Sequence, residues 1–205
     1  ALTQQIEARS FPGAVALVMR KGRVAYFETC GQLEPQTGAP MTKDAIFRLY
    51  SMTKPFTSVA ALMLVEDGRL RLMDPVGVYL PQLAKLEAAM PSTDASGKPT
   101  YPLVAAERPV TLYDLLRHTS GLNYIGPHDE KGDLAYQKAG LAPAGAPEGS
   151  LAEFVKKLAQ APLVHQPGTI WDYSFSIDVL GRLVEVVSGQ SLDRFFEERI
   201  LGPLK

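Results

Sequence analysis

Ser51-Met52-Thr53-Lys54 sets a serine hydroxyl three residues ahead of a lysine amine, and Pro55 follows at once. Side chains three apart on a helix are neighbours, so Lys54 can reach the Ser51 hydroxyl and accept its proton. The pair has the chemistry of a nucleophile beside its base. Pro55 lacks an N–H and its ring clashes with the carbonyl four residues back, so regular helix cannot begin as early as Ser51. Ser51 is therefore expected at the N-cap or first turn of a helix that continues through the apolar run Val59 to Val65. Unpaired N–H groups and the positive end of the helix dipole favour developing negative charge there. A plain helix cap uses the same residue types, since Ser is a preferred cap. The pattern needs support from elsewhere in the chain.

That support is sought in Trp171-Asp172-Tyr173-Ser174-Phe175, which lies between the turn Gln166-Pro167-Gly168 and an amphipathic stretch from Ile177 to Val187. A tyrosine on a short connection can aim its phenol at a nucleophile held elsewhere. It can equally pack its ring and bond its hydroxyl to backbone.

Other chemistries find little material. Cys30 is the single cysteine, so no internal disulfide is possible, and it reads as a small buried hydrophobe ending a strand-like run. His118, His128 and His165 lack metal-ligand spacing, and neither a metal nor a cofactor is expected. A net charge of −1 gives no footprint for nucleic acid. With 46% hydrophobic and 21% charged residues the 205-residue chain has the balance of a globular protein with a sizeable core. No apolar stretch approaches the ~20 residues that span a bilayer, and no signal-peptide core opens the sequence, so a cytoplasmic protein is expected. No Gly-x-Ser-x-Gly elbow is present, which leaves lysine as the obvious base.

The elements that must position these residues are mostly helical. Ala14–Met19 and Val24–Phe27 flank Lys21-Gly22 and read as a β-hairpin. A buried helix should run from about Pro55 to Asp67 and stop at Gly68. Met90 to Pro109 reads as a surface excursion, and Gly126 to Gly149 as loop. Thr111 to Asp114 resembles a capping box opening a short helix through Arg117 that closes at Ser120-Gly121, with His118 closing the helix where a cation is favoured. Ser150 can cap a helix over Leu151 to Gln160, Gly189 stops the helix after Tyr173, and a last helix spans about Leu192 to Ile200. One hairpin cannot bury its own apolar face. The chain is accordingly expected to be completed by a C-terminal segment or a second chain.

Phe47-Arg-Leu-Tyr-Ser-Met-Thr-Lys54, Asp114-Leu-Leu-Arg-His-Thr-Ser-Gly-Leu122, Gln166-Pro-Gly168 and Tyr173-Ser174 with the helix Asp178 to Gly189 together resemble the serine β-lactamase and penicillin-binding-protein superfamily. They look most like family VIII carboxylesterases, the esterase branch similar to class C β-lactamases. The resemblance covers most of the chain and its motifs fall in the family's order. It implies an α/β (α+β) architecture, an antiparallel sheet flanked by helices plus a helical domain. On this view residues 1–50 are the N-terminal part of the sheet domain and residues 51–205 a mainly helical domain, the remaining strands lying outside the chain.

The resemblance also implies roles: Ser51 as nucleophile, Lys54 as its base partner, and Tyr173 as the motif-two tyrosine that shares the proton between serine and leaving alkoxide. A lysine with the ordinary pKa of about 10.4 is protonated at pH 7, so a lysine base needs a depressed pKa. In the alternative, Tyr173 is the phenolate base and Lys54 stabilises it. Where class C β-lactamases carry Tyr-x-Asn, this chain has Tyr173-Ser174-Phe175. Phe175 cannot donate the amide hydrogen bond and favours an apolar acyl or alcohol group, and Tyr124 is a second candidate to line the substrate pocket. The expected activity is hydrolysis of short-chain carboxylic esters through a Ser51 acyl-enzyme. β-Lactam or D-alanyl-D-alanine peptide hydrolysis, and a non-catalytic binding module, are the alternatives. The family's third motif, which carries one of two oxyanion donors, is absent from these residues.

Overall fold

The computed structural model describes residues 2–8, 10–124, 136, 138–141 and 149–204. His128, Lys205 and most of the stretch read as loop between Gly126 and Gly149 lie outside them. The chain divides into two compact units, Ala1–Tyr50 and Ser51–Lys205.

The first unit holds a short helix α1 (Leu2–Glu7) and a three-stranded antiparallel sheet in the order β1 (Gly13–Arg20), β2 (Arg23–Glu34), β3 (Ala39–Pro40). The hairpin turns where the residues predict, with Lys21 and Gly22 both at positive φ (50° and 71°). Two left-handed residues make the turn whose twist matches that of the flanking strands. Val18 faces Tyr26 but Met19 faces Val24, so Ala25 is an extra residue that bulges β2. Strand β2 runs on to Glu34, beyond the apolar alternation that marks its start. Leu17, Val18, Met19, Val24 and Tyr26 all remain exposed, as expected of a small sheet that cannot cover its own apolar side chains. Cys30 is half-buried in β2 rather than fully enclosed.

The second unit is mainly helical. Its elements include α2 (Lys54–Glu66), α3 (Leu112–Arg117), α4 (Leu151–Leu158), α5 (Ser176–Ser188) and α6 (Leu192–Phe196). The predicted capping box forms between Thr111 and Asp114 on α3, and the predicted cap Ser150 forms a second box with Glu153 on α4. Helix α5 is the centre of the core. Its Val179, Leu180, Leu183 and Val184 are fully enclosed, and at ~2 kcal/mol each they contribute on the order of 8 kcal/mol before conformational entropy is charged against them. Phe154, Val155 and Leu158 of α4 and Leu64 of α2 belong to the same apolar cluster.

Three details depart from expectation. The excursion from Met90 is tied down by small ladders, Leu103–Ala105 pairing with Glu87–Ala89 just ahead of it and Ser92–Thr93 with Pro99–Thr100 within it, too short to show alternation. Helix α3 runs through Arg117 as expected, but the chain already turns left-handed at its C-cap His118 (φ 55°), ahead of Ser120-Gly121. Beyond α6 the chain widens into a π turn, Glu197–Leu201. Among the described residues no helix is long and apolar enough to cross a membrane, and no group of His, Cys, Asp or Glu is arranged to hold a metal.

Candidate active site

Ser51 sits in a 3₁₀ turn, Tyr50–Thr53, and the N-cap residue of α2 is Thr53. Ser51 therefore precedes the helix by a turn instead of capping it, because Pro55 limits how far back regular α-helix can extend. Tyr50, immediately before it, has φ +48°, an uncommon conformation for a residue with a side chain and one that concentrates at functional sites. Lys54 is the first residue of α2, so the three-residue spacing crosses a 3₁₀-to-α junction.

The serine hydroxyl is spent on side chains, not on the helix. Its Oγ lies 2.6 Å from Tyr173 Oη, and Lys54 Nζ donates to it at 3.4 Å. Lys54 Nζ also stands 4.8 Å from the centre of the Tyr173 ring. Ser51 is exposed, while Lys54 and Tyr173 are half-buried. An exposed hydroxyl whose two side-chain partners are partly enclosed is an arrangement that covalent catalysis could use.

Tyr173 reaches this position because its segment is laced to the residues after α3. Val164 N–H donates to Gly121 O at 2.8 Å, Gly168 N–H to Thr119 O at 2.7 Å, and Asp172 N–H to His118 O at 2.9 Å. The approach is so close that a Cβ on Gly121 would fall 2.1 Å from His165 O, and its φ of +82° also calls for glycine. Below this lattice Asp114 is buried, and Arg108 grips it with two parallel bonds, Nη1 to Oδ2 at 2.6 Å and Nη2 to Oδ1 at 2.8 Å. The hydroxyls of Thr111 and Thr119 donate to the same carboxylate, at 2.7 and 3.2 Å. Burial pushes the Asp114 carboxyl up, but the Arg108 and Thr111 hydrogen bonds outweigh it and hold it below the usual carboxylate range.

The surroundings of the Tyr173 phenol shift its titration. Burial raises its pKa, but hydrogen bonding to Lys54 and Ser51 and the lysine charge bring it below the ordinary 10.0. Asp178, in the first turn of α5, is half-buried, and burial raises its carboxyl against the pull of Lys54. Residue types alone gave Asp178 no role, although an acid one turn after a motif tyrosine was available as a signal.

The two proposed pocket residues fare differently. Tyr124 is half-buried and meets Tyr173 edge-on, with ring centres 5.2 Å apart. Phe175 is only 5% exposed, enclosed by Tyr124, Tyr136 and Phe154 at 4.9, 6.4 and 5.1 Å. Phe175, expected to line the pocket, is the N-cap residue of α5; its ring packs into the core, where an apolar ring is most stable, and meets Tyr124, which in turn meets Tyr173. A cavity of about 460 Å³ is lined by Leu83, Leu86, Glu87, Ala105 and Val110 among others, and none of the candidate residues borders it.

The beta-lactamase family model matches residues 1–205. The chain belongs to the beta-lactamase family. Among relatives of this beta-lactamase-family chain is Esterase EstB of Burkholderia gladioli, 36% identical over 202 residues, which cover 98% of the chain and 47% of EstB. Among solved structures, EstCE1, described as a hydrolase with promiscuous acyltransferase activity, superposes with a TM-score of 0.79 at 30% identity, covering 99% of this chain and 49% of its own. Simvastatin synthase (LovD) from Aspergillus terreus gives 0.76 at 27%, covering 99% and 51%. The chain thus spans about half the length of these proteins, and its mixed helix and strand architecture is the beta-lactamase-like fold expected of it.

Proposed function

We propose that this chain carries the nucleophile half of a serine hydrolase that cleaves carboxylic esters through an acyl-enzyme. The observation that carries the reading is the 2.6 Å approach of Tyr173 Oη to Ser51 Oγ, with Lys54 Nζ beside both. In this reading Ser51 Oγ attacks the ester carbonyl carbon and its proton passes to the Tyr173 phenolate, which the Lys54 ammonium stabilises. The tetrahedral intermediate collapses, the C–O bond to the alcohol breaks, and Tyr173 returns the proton to the leaving alkoxide. A water then repeats the sequence in reverse, freeing the acid and Ser51.

The lowered phenol pKa supports assigning the base role to Tyr173, with Lys54 as its counter-charge. The likeness to the esterase EstB and to the hydrolase EstCE1 supports an ester as substrate class. Tyr124, edge-on to Tyr173, is proposed to line the pocket beside the reacting carbonyl. Residues beyond this span are proposed to complete the sheet and supply a second oxyanion donor, a group whose removal costs about 10²- to 10³-fold in rate. β-Lactam hydrolysis is the weaker reading, because the buried Phe175 offers no amide donor where class C enzymes have asparagine. Ser51→Ala in the full-length protein tests the proposal: turnover of p-nitrophenyl butyrate should be abolished, and retained turnover would overturn it.

A further inference from the structure

His118 has no part in the proton transfer above, yet it is built into the site from three directions. Its backbone closes α3 in the left-handed region, with its N–H to Asp114 O and Leu115 O and its carbonyl accepting Asp172 N–H. Its ring stacks on Tyr173, with centres 5.1 Å apart and planes inclined by 19°, while Trp171 meets it edge-on at 6.2 Å. Its Nδ1 accepts the Ser174 backbone N–H at 3.2 Å. A backbone N–H can only donate, so Nδ1 carries a lone pair and the neutral ring keeps its proton on Nε2.

Ser174 Oγ, also 3.2 Å from Nδ1, continues to Ser176 Oγ at 2.7 Å and on to Ser120 Oγ at 2.8 Å, which accepts Leu122 N–H at 3.1 Å. All three hydroxyls are fully buried. Such a chain has no water to fall back on, so it holds its members in one arrangement.

We propose that His118 is a positioning residue for Tyr173: a neutral imidazole, fixed by the Ser174 N–H and the buried serine chain, on which the phenol ring rests so that Oη stays on Ser51 Oγ. The inference rests on the Ser51–Tyr173 reading above. Protonating Nδ1 would set one N–H against another at Ser174 and place a cation beside Lys54. Burial, then the Lys54 charge, both pull the His118 pKa below its ordinary value, in keeping with a ring kept neutral. The charged groups around the stacked pair are Lys54 from α2, Asp178 from α5, Asp172 paired with His165 on the Tyr173 segment, and Arg117 on α3 itself, whose guanidinium lies over Tyr113.

The test compares wild-type, His118→Ala and His118→Phe forms of the full-length protein on p-nitrophenyl butyrate across pH. Misplacing the phenol by a fraction of its bond length should lower kcat about 10- to 100-fold in His118→Ala with KM within about twofold. His118→Phe keeps a ring under Tyr173 and should regain much of kcat. It should also lose an acid limb that wild type shows as pH falls below the ordinary histidine value of about 6.5. His118→Ala with kcat within about twofold of wild type, or His118→Phe as slow as His118→Ala with the acid limb intact, overturns the role. Should the variants fold poorly, the imidazole ¹⁵N shifts of the wild-type protein decide: Nδ1 unprotonated at pH 7 supports it and a cationic ring at pH 7 overturns it. Ser51→Ala run alongside separates the two ideas, since turnover surviving there refutes the hydrolase reading itself.

Discussion

Tyr173→Phe removes one oxygen atom and little else. The ring keeps its stack on His118, its edge contact with Tyr124 and its position near Lys54 Nζ, none of which uses the hydroxyl. What is lost is the 2.6 Å contact with Ser51 Oγ and the hydrogen bond to Lys54. As a hydrogen bond beside an exposed serine the Ser51 contact contributes about 1 kcal/mol to stability, so the fold should survive with a small fall in Tm. As a proton path it matters far more. A positioned general acid–base contributes about 10²- to 10⁴-fold, or about 2.7 to 5.4 kcal/mol of barrier. The fall should appear in kcat, with KM for p-nitrophenyl butyrate little changed, because the phenol acts on the reacting proton and not on the bound ester. The pH profile adds a second reading. A base must be deprotonated to act, so the wild-type rate should rise with pH through a midpoint below 10, the direction in which Lys54 and Ser51 move the phenol. That limb should vanish in Tyr173→Phe. A variant with kcat within tenfold of wild type and an unchanged profile would refute the assignment of Tyr173 as the proton carrier.

Asp114→Ala should destabilise the helical unit by about 3–5 kcal/mol, since it strips a buried carboxylate from Arg108, Thr111 and Thr119, and chemical denaturation would measure the loss. The same group makes stability pH-dependent: its folded pKa lies below the unfolded value, so its contribution is complete above about pH 4 and is lost as pH falls through the folded pKa. Wild type should show that acid loss and Asp114→Ala should lack it. Phe175→Ala opens a cavity among Tyr124, Tyr136 and Phe154 and should cost about 3–5 kcal/mol, with a fall in kcat/KM transmitted by Tyr124. An unchanged Tm would show that the ring is not in the core.

Features with local causes could be read directly from residue types. The Lys21-Gly22 turn, the capping box at Thr111, the cap at Ser150, and the stops at Gly68 and Gly189 each depend on a few neighbouring residues whose backbone preferences are strong. Ser51 and Lys54 were legible for the same reason, since Pro55 fixes where the helix can start. Long-range geometry was not. Nothing in His118-Thr119-Ser120 says that the imidazole stacks on a tyrosine 55 positions later, or that its Nδ1 faces a backbone N–H and so resists the charge expected near a helix C-terminus. Phe175 reads as a pocket residue because it stands where class C β-lactamases carry the asparagine of Tyr-x-Asn, and the packing that buries its ring comes from distant residues. The turn into α5 sends the rings of Tyr173 and Phe175 in different directions, one toward Ser51 and the other into the core. The short ladders between Glu87 and Ala105 depend on pairing across the excursion, with only two or three residues a side to signal it.

The most direct measurement exposes the full-length protein to a serine-reactive fluorophosphonate, records its intact mass and maps the adduct by peptide sequencing. A single adduct on Ser51, formed by wild type and suppressed in Tyr173→Phe, is the predicted result. No adduct, or one on another serine while ester turnover persists, would contradict the claim that Ser51 is the nucleophile.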